Sequence, residues 1–310
     1  MKKIIITGIR GFVGTHLKQS IKDWEVTGVS RTGRGKNIIS YDEISLELLN
    51  KTNTVIHLAG KAHDLKKVKS EQEYYEANTV LTISLFDKFL KSDCKLFIFI
   101  SSVKAAADNV ATILDEEEVP NPVTPYGKTK LAAENYIRSC QLPDDKKIYI
   151  LRPCMIHGPG AKGNLTLLYK MVKKGIPYPL GVYTNERSFL SVENLCFIIK
   201  KIIEIRPLSG IYNVADDETL STKEIVKIIG EVTNKSLKIY SIPKWIISLG
   251  ATVGNVLPLP LNTEKLHKLT ENYRVSNKKI KNILNIELPV RAEEGMRKTI
   301  CYLHSASSSL

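Results

Sequence analysis

The chain contains three places where a tyrosine precedes a lysine by four residues: Tyr126/Lys130, Tyr169/Lys173 and Tyr240/Lys244. On a helix this spacing puts both side chains on one face, where an ammonium favours the phenolate and turns tyrosine into a usable proton acceptor. Spacing alone does not select among the pairs, because chance supplies about one or two in a chain this rich in both residues. Pro243 lies inside the third pair and excludes a regular helix there. The first pair, in "TPYGKTKLAAEN" (124–135), follows the run "KLFIFIS" (95–101), after which Ser102 offers a hydroxyl. A phenol that removes a hydroxyl proton and a serine that hydrogen-bonds the developing carbonyl oxygen would together support oxidation of an alcohol.

Such chemistry needs a hydride acceptor, and the N-terminus supplies a place for one. "ITGIRGFVGTHL" (6–17) follows the first apolar run and opens a helical pattern, with Gly8, Gly11 and Gly14 spaced G-x-x-G-x-x-G. Glycines there permit a tight turn and close approach of a pyrophosphate to backbone N–H groups at a helix N-terminus. Arg10, Phe12 and Val13 fall inside the same turn. The next strand ends "VSRTGRG", with Ser30 and Arg31 where an acid would hydrogen-bond the ribose of NAD. Arg31, helped by Arg10 or Arg34, instead favours the 2′-phosphate of NADP, although each arginine alone reads equally well as a solvated loop residue.

The elements that must position these groups follow an alternating order. Apolar, β-branched runs occur at 3–7, 24–30, 54–59, 95–101, 147–153 and 210–215, with helical periodicity at 12–22, 72–92 and 126–140 between them. That order predicts an α/β fold with a Rossmann-type doubly wound parallel sheet, its middle strands buried on both faces. Gly and Pro become frequent over 158–181, and helical segments at 193–205 and 222–233 follow. We therefore expect a nucleotide-binding domain from 1–160 plus about 190–215, and a smaller C-terminal substrate domain from about 161–189 and 216–300. The tail "HSASSSL" (304–310) reads as disordered.

Composition narrows the possibilities. At 43% hydrophobic and 25% charged, the 310 residues suit a globular protein with a sizeable core. Five scattered cysteines without C-x-x-C spacing argue against a disulfide framework or a metal site and fit a reducing cytoplasm. The run after "MKK" is cut by Gly8 and Arg10, too early for a signal peptide. "WIISLGATVGNVLPLPLNT" (245–263) carries no charge, but its glycines, prolines and asparagines suit a buried or interfacial helix plus loop rather than a membrane span. A net charge of +13 suits anionic partners. Without aromatic interleaving or a DNA-binding motif, a phosphorylated small molecule is expected rather than nucleic acid.

In order, "TGIRGFVG", "HLAGKAH", "FISSVKA", "YGKTK" and "LRPCMIHGPG" resemble the motifs of extended short-chain dehydrogenase/reductases that modify nucleotide sugars, over essentially the whole chain. The resemblance implies a Rossmann domain, a nucleotide-sugar domain and a homodimer. By it, Gly8, Gly11, Phe12 and Gly14 correspond to the pyrophosphate loop, Asp42 to an acid at adenine, and Leu58, Ala59 and Gly60 to the stretch along the cofactor. Asn78 corresponds to a residue before the active-site strand, and Ser102, Tyr126 and Lys130 to the catalytic group, which leaves Tyr169/Lys173 expected as a surface pair. Lys130 would also bind the ribose hydroxyls. Asn164 would contact sugar or diphosphate, Arg187 a phosphate oxygen and Arg274 the diphosphate, with Lys104 and His63 flanking the sugar. His157 stands where relatives commonly have tyrosine, which leaves sugar specificity open.

The resemblance covers dehydratases, epimerases and 4-keto reductases. Dehydratases carry T-D-E where this chain reads Ser102-Val103-Lys104, without the acid/base pair that elimination of water needs. "GPGAKGNLTLLYKMVKKGIPYPLG" and "NERSFLSVENL" are most similar to a subgroup acting on UDP-linked N-acetylhexosamines and their 4-keto-6-deoxy forms. The expectation is an NAD- or NADP-dependent UDP-sugar 4-epimerase serving polysaccharide biosynthesis. An NADPH-dependent 4-keto reductase is the alternative, and a non-catalytic NADP-binding sensor is a third.

Overall fold

The computed structural model describes residues 2–61, 71–161, 163–235, 237–257 and 261–308. In chain order its strands are β1 (Lys3–Thr7), β2 (Glu25–Val29), β3 (Ile38–Ile39), β4 (Thr54–His57), β5 (Leu96–Ile100), β6 (Ile113–Leu114), β7 (Lys147–Pro153), β8 (Met155–His157), β9 (Arg187–Ser191), β10 (Gly210–Val214), β11 (Thr219–Leu220) and β12 (Arg274–Val275). Seven of them form a sheet in the order β10-β7-β5-β4-β1-β2-β3. Every pairing in it is parallel, with Ile4 opposite Thr54 and Thr54 opposite Leu96. The order reverses between β1 and β4, so the crevice for a ligand opens beyond their carboxyl ends.

Side-chain alternation explains why the sheet is covered on both faces. Ile5, Val55, Phe97 and Phe99 point to one face and pack with Phe86, Phe89, Ala133 and Ile137 from the helices Leu81–Leu90 and Pro125–Ser139. Ile4, Ile6, Ile98 and Ile100 point to the other and meet Leu17, Leu195 and Ile202 from the helices Phe12–Ser20 and Val192–Ile205. All of β4 and β5 is buried. This is the α/β architecture that the alternating pattern predicts.

A separate apolar cluster gathers Tyr169, Val172, Phe189, Ile225, Ile229, Ala251, Met296 and Ile300. It lies among the helices Asn164–Lys173, Thr222–Val232, Lys244–Val256 and Ala292–Ser308. Beside it β8 and β9 run parallel and β11 pairs antiparallel to β9, while β12 pairs with β6. Two expectations fail here. The C-terminal helix continues to Ser308 instead of ending in a disordered tail from residue 304. Tyr169/Lys173 is not a surface pair: the Tyr169 hydroxyl hydrogen-bonds the His304 ring at 3.0 Å and Ser307 at 2.9 Å, and Lys173 Nζ donates to Ser307 Oγ at 2.8 Å. Those contacts hold the tail that its Ser-rich composition suggests is loose.

Candidate active site

Ser102 leaves the carboxyl end of β5, and its side chain accepts from Lys104 N at 3.2 Å, fixing the first turn of a short 3₁₀ segment, Val103–Ala105. The helix Pro125–Ser139 presents Tyr126 to it. Pro125 pre-sets the first turn and Thr124 Oγ1 accepts from Gly127 N at 3.2 Å. Asp108 takes hydrogen bonds from Val123 N, Thr124 N and the Thr124 hydroxyl, tying the helix start to the loop after Ser102. Gly127 permits the approach, because a Cβ there would collide with the Lys104 carbonyl. Tyr126 and Ser102 share a side-chain hydrogen bond, and the Tyr74 ring meets Tyr126 edge-on at 6.4 Å.

Lys130 sits one turn further on, buried, with Nζ donating to the Ile100 carbonyl at 2.9 Å and lying 4.8 Å from the centre of the Phe99 ring. Burial lowers its pKa from 10.5 to about 8, opposed by the Glu134 carboxylate. Tyr126 departs from the sequence-based expectation. Burial raises its pKa above 10, with only the Ser102 hydrogen bond pulling it down. The ammonium is directed at a backbone carbonyl and does not lower the phenol here.

Glu134 completes the series one turn on from Lys130, and sequence reasoning missed it. It is fully buried, joined to Arg152 through Nε at 3.0 Å and Nη2 at 2.5 Å, and accepts a hydrogen bond from Ser101. A second unpredicted network links strand ends: Thr7 Oγ1 and His57 Nδ1 are 2.7 Å apart, His57 Nε2 and Thr82 Oγ1 2.9 Å, and Ala59 N donates to Thr7 at 3.2 Å. Desolvation, with Lys130 nearby, pushes the His57 pKa down to about 3, so its ring is neutral. Glu134 could have been found from the Tyr126–Lys130–Glu134 spacing; nothing local marks His57.

The residues present fit a dinucleotide. Gly8 has φ +68, and a Cβ on it would lie 3.0 Å from Ala59 N; a Cβ on Gly14 would collide with the Gly8 carbonyl. Gly60 is equally confined, 2.8 Å from Asn78 Oδ1 and 3.1 Å from Lys130 Nζ measured from such a Cβ. Gly11 caps Phe12–Ser20 without a side-chain hydrogen bond, so the N–H groups of the first turn stay available to an anion. Val13 follows in that turn, and Phe12 packs on His16 and against Gly158. At the end of β2, the buried Ser30 hydroxyl has no hydrogen-bond partner. Arg10 reaches the Thr32 hydroxyl at 3.5 Å and bonds the Arg34 carbonyl, so it stands over the exposed loop that carries Arg31.

Other expected cofactor residues sit differently. Asp42 is exposed in the turn after β3, while its neighbour Tyr41 bonds Thr7 and the Gly8 backbone from within the site. Leu58 and Ala59 continue from β4 beside Gly8. Asn78 is fully buried in a π-helical turn, Glu76–Val80, and its amide holds the Lys61 peptide and Thr129. Asn78 therefore positions the Gly60–Lys61 loop, and its side-chain amide is committed to these contacts. A π-turn at such a place is a frequent mark of a functional site.

On the substrate side, Lys104 donates to the Asp108 carbonyl at 2.8 Å and stacks 4.1 Å from the Tyr273 ring. Burial lowers its pKa, with Glu271 and Asp108 raising it and Arg187 lowering it, which places all four charges in one neighbourhood. Arg187 bonds the Lys268 carbonyl at 2.7 Å and Glu271 at 3.2 Å. Arg274 pairs with Glu186 at 3.3 Å, half-exposed. Asn164 opens its helix, with its side chain outside the described residues, as is His63 entirely. His157 does not belong to the site: it is 2% exposed, hydrogen-bonded to Thr299 at 2.9 Å and 3.6 Å from Asp216, facing the C-terminal helix.

A glycine turn at the switch point, Ser102 at the end of β5 and the Tyr126–Lys130 pair on the helix Pro125–Ser139 define an NAD-dependent enzyme of the extended short-chain dehydrogenase/reductase type. Residues 4–215 match the NAD dependent epimerase/dehydratase family, and the chain belongs to that family. It is 30% identical over 317 residues to a UDP-glucose 4-epimerase from Vibrio cholerae, covering 96% of this chain and 94% of the relative. It is 27% identical to the N-acetyl-alpha-D-glucosaminyl-diphospho-ditrans,octacis-undecaprenol 4-epimerase of Escherichia coli O157:H7, over 82% and 79% of the two chains. Its fold is similar to that of a UDP-glucuronic acid 4-epimerase from Bacillus cereus solved with NAD, with a TM-score of 0.74, 19% identity and coverage of 98% and 99%.

Proposed function

We propose that the chain is a UDP-sugar 4-epimerase acting at hexose C4. The observation that carries this reading is the Ser102–Tyr126 hydrogen bond beside Lys130 and Gly60 at the end of β5. Similarity to epimerases of UDP-glucose and of a lipid-diphosphate N-acetylglucosamine supports C4 chemistry on a glycosyl diphosphate. When bound, the nicotinamide ring supplies a hydride acceptor and donor at C4 and a positive charge near the phenol. Tyr126 takes the C4 hydroxyl proton as hydride leaves C4 and, once the sugar has rotated and hydride returns to the opposite face of C4, gives the proton back to the same oxygen, while Ser102 hydrogen-bonds that oxygen as it becomes a carbonyl. Lys130 binds ribose hydroxyls, and the positive ring favours the phenolate. Arg187 and Arg274 hold diphosphate oxygens, with Glu271 and Glu186 releasing them to do so. Val103 and Lys104 provide no acid/base pair for dehydration.

One observation favours a second reading. Arg10 braced over the Arg31 loop, with no acid at the end of β2, suits NADP and hence a 4-keto reductase. The two readings separate in one assay. An epimerase interconverts UDP-hexoses with its cofactor retained and unconsumed, whereas a reductase consumes one NADPH per product. Mass spectrometry of the purified protein for bound NAD or NADP, followed by a panel of UDP-hexoses, decides between them. A sensor would survive Tyr126→Phe unchanged.

A further inference from the structure

Most of the uncharged segment 245–263 lies in the helix Lys244–Val256, and Thr263 opens the next helix, Thr263–Thr270. Ile247, Ala251 and Gly254 of the first helix are buried in the cluster with Leu261 and Leu266. The opposite face is apolar too. Trp245, Leu249, Val253 and Val256 recur at helical spacing along it and are 69, 60, 42 and 87% exposed, with Ile246 and Leu257 beside them. Exposed apolar side chains are ordinary singly, but a continuous stripe of six marks an interaction surface.

The charges around the stripe indicate what covers it. No Asp or Glu occurs between Glu231 and Glu264, while Lys235, Lys238 and Lys244 do, all exposed. The helix Thr263–Thr270 packs on Lys244–Val256 and adds exposed Lys265, while its Lys268 is paired with Glu264. A two-fold pairing of this face with a second copy would set these lysines against one another. An anionic lipid surface complements them, and a tryptophan at one end of an apolar stripe suits the headgroup boundary. The helix has 13 residues, about 20 Å at about 1.5 Å each, too short to cross a bilayer.

From this we infer that Lys244–Val256 is an interfacial helix that seats the protein on an anionic bilayer, apolar stripe inward and lysines at the headgroups. The seat lies next to the substrate side of the site, because Lys268 at the end of the neighbouring helix gives its carbonyl to Arg187. The inference does not depend on which sugar is processed.

The test is co-sedimentation of the full chain with phosphatidylcholine vesicles made with and without phosphatidylglycerol. Binding is expected only with phosphatidylglycerol, weakened by salt, with a blue shift of tryptophan emission that Trp245→Phe removes and Trp24 does not replace. A Leu249→Glu/Val256→Glu variant should bind about tenfold less or weaker, with unchanged melting temperature and unchanged nucleotide content. Lys238→Glu/Lys244→Glu should lose the preference for anionic lipid. The inference falls if the wild type stays in solution with both vesicles, or if the glutamate variant binds as well as the wild type. It also falls if that variant instead turns a dimer into a monomer.

Discussion

At the residue scale the proposed reaction rests on a phenol that the fold alone makes a weaker acid. Burial raises the Tyr126 pKa and Lys130 spends its ammonium on the Ile100 carbonyl, so the phenolate must be favoured by Ser102 and by the positive ring of a bound nicotinamide. Tyr126→Phe should lower kcat by about 10²- to 10⁴-fold while retaining bound cofactor, read by steady-state assay and mass spectrometry. His57 gives a pH signature. Its folded pKa of about 3 lies below its ordinary 6.5, so the unfolded chain takes up the proton first as pH falls. The stability His57 contributes is present above pH 6.5 and is lost as pH falls towards about 3; His57→Gln should remove that part of the acid dependence of the melting temperature. The Tyr126 site was legible because Ser102, Tyr126 and Lys130 each stand beside a local signal. The direction of the phenol's shift was not, because it depends on where a buried lysine points, which spacing does not reveal.

At the scale of elements, the helix Pro125–Ser139 carries Tyr126, Lys130 and Glu134 on one face, and two features hold it in place. Gly127 lets the Ser102 loop approach, so Gly127→Ala should cost about 1–3 kcal/mol by denaturant unfolding and lower kcat by about tenfold or more through misalignment. Glu134 pairs with Arg152 out of contact with water, so Glu134→Gln leaves an uncompensated guanidinium and should cost about 3–5 kcal/mol in the same measurement. Six of the seven sheet strands and their helices could be read from sequence because continuous apolar runs such as "LFIFI" and the glycine turn are local patterns; the two-residue edge strand β3 could not. The strands β6, β8, β11 and β12 have only two or three residues each and owe their pairing to tertiary contacts, so no periodicity announces them.

Across the whole molecule, the C-terminal helix ties the late segments together. Tyr169 and Lys173 bond His304 and Ser307, His157 bonds Thr299, and Asn194 is held by Asp216 and the Val290 carbonyl. Removing residues 304–310 should therefore lower the melting temperature by about 2–4 °C for each kcal/mol lost, seen by calorimetry, although the composition of that tail suggests no structural role. His157 illustrates the same point from the other side. Its place before "GPG" resembles a sugar-contacting position, yet distant Thr299 and Asp216 enclose it.

The most direct test of the C4 reading is to incubate the purified protein with UDP-glucose and UDP-N-acetylglucosamine, add no cofactor, and follow the C4 configuration by NMR. The account predicts conversion to an equilibrium mixture of C4 epimers, abolished in Tyr126→Phe, with no net change in nicotinamide absorbance. Conversion that persists in Tyr126→Phe, or turnover only with stoichiometric NADPH, would contradict it.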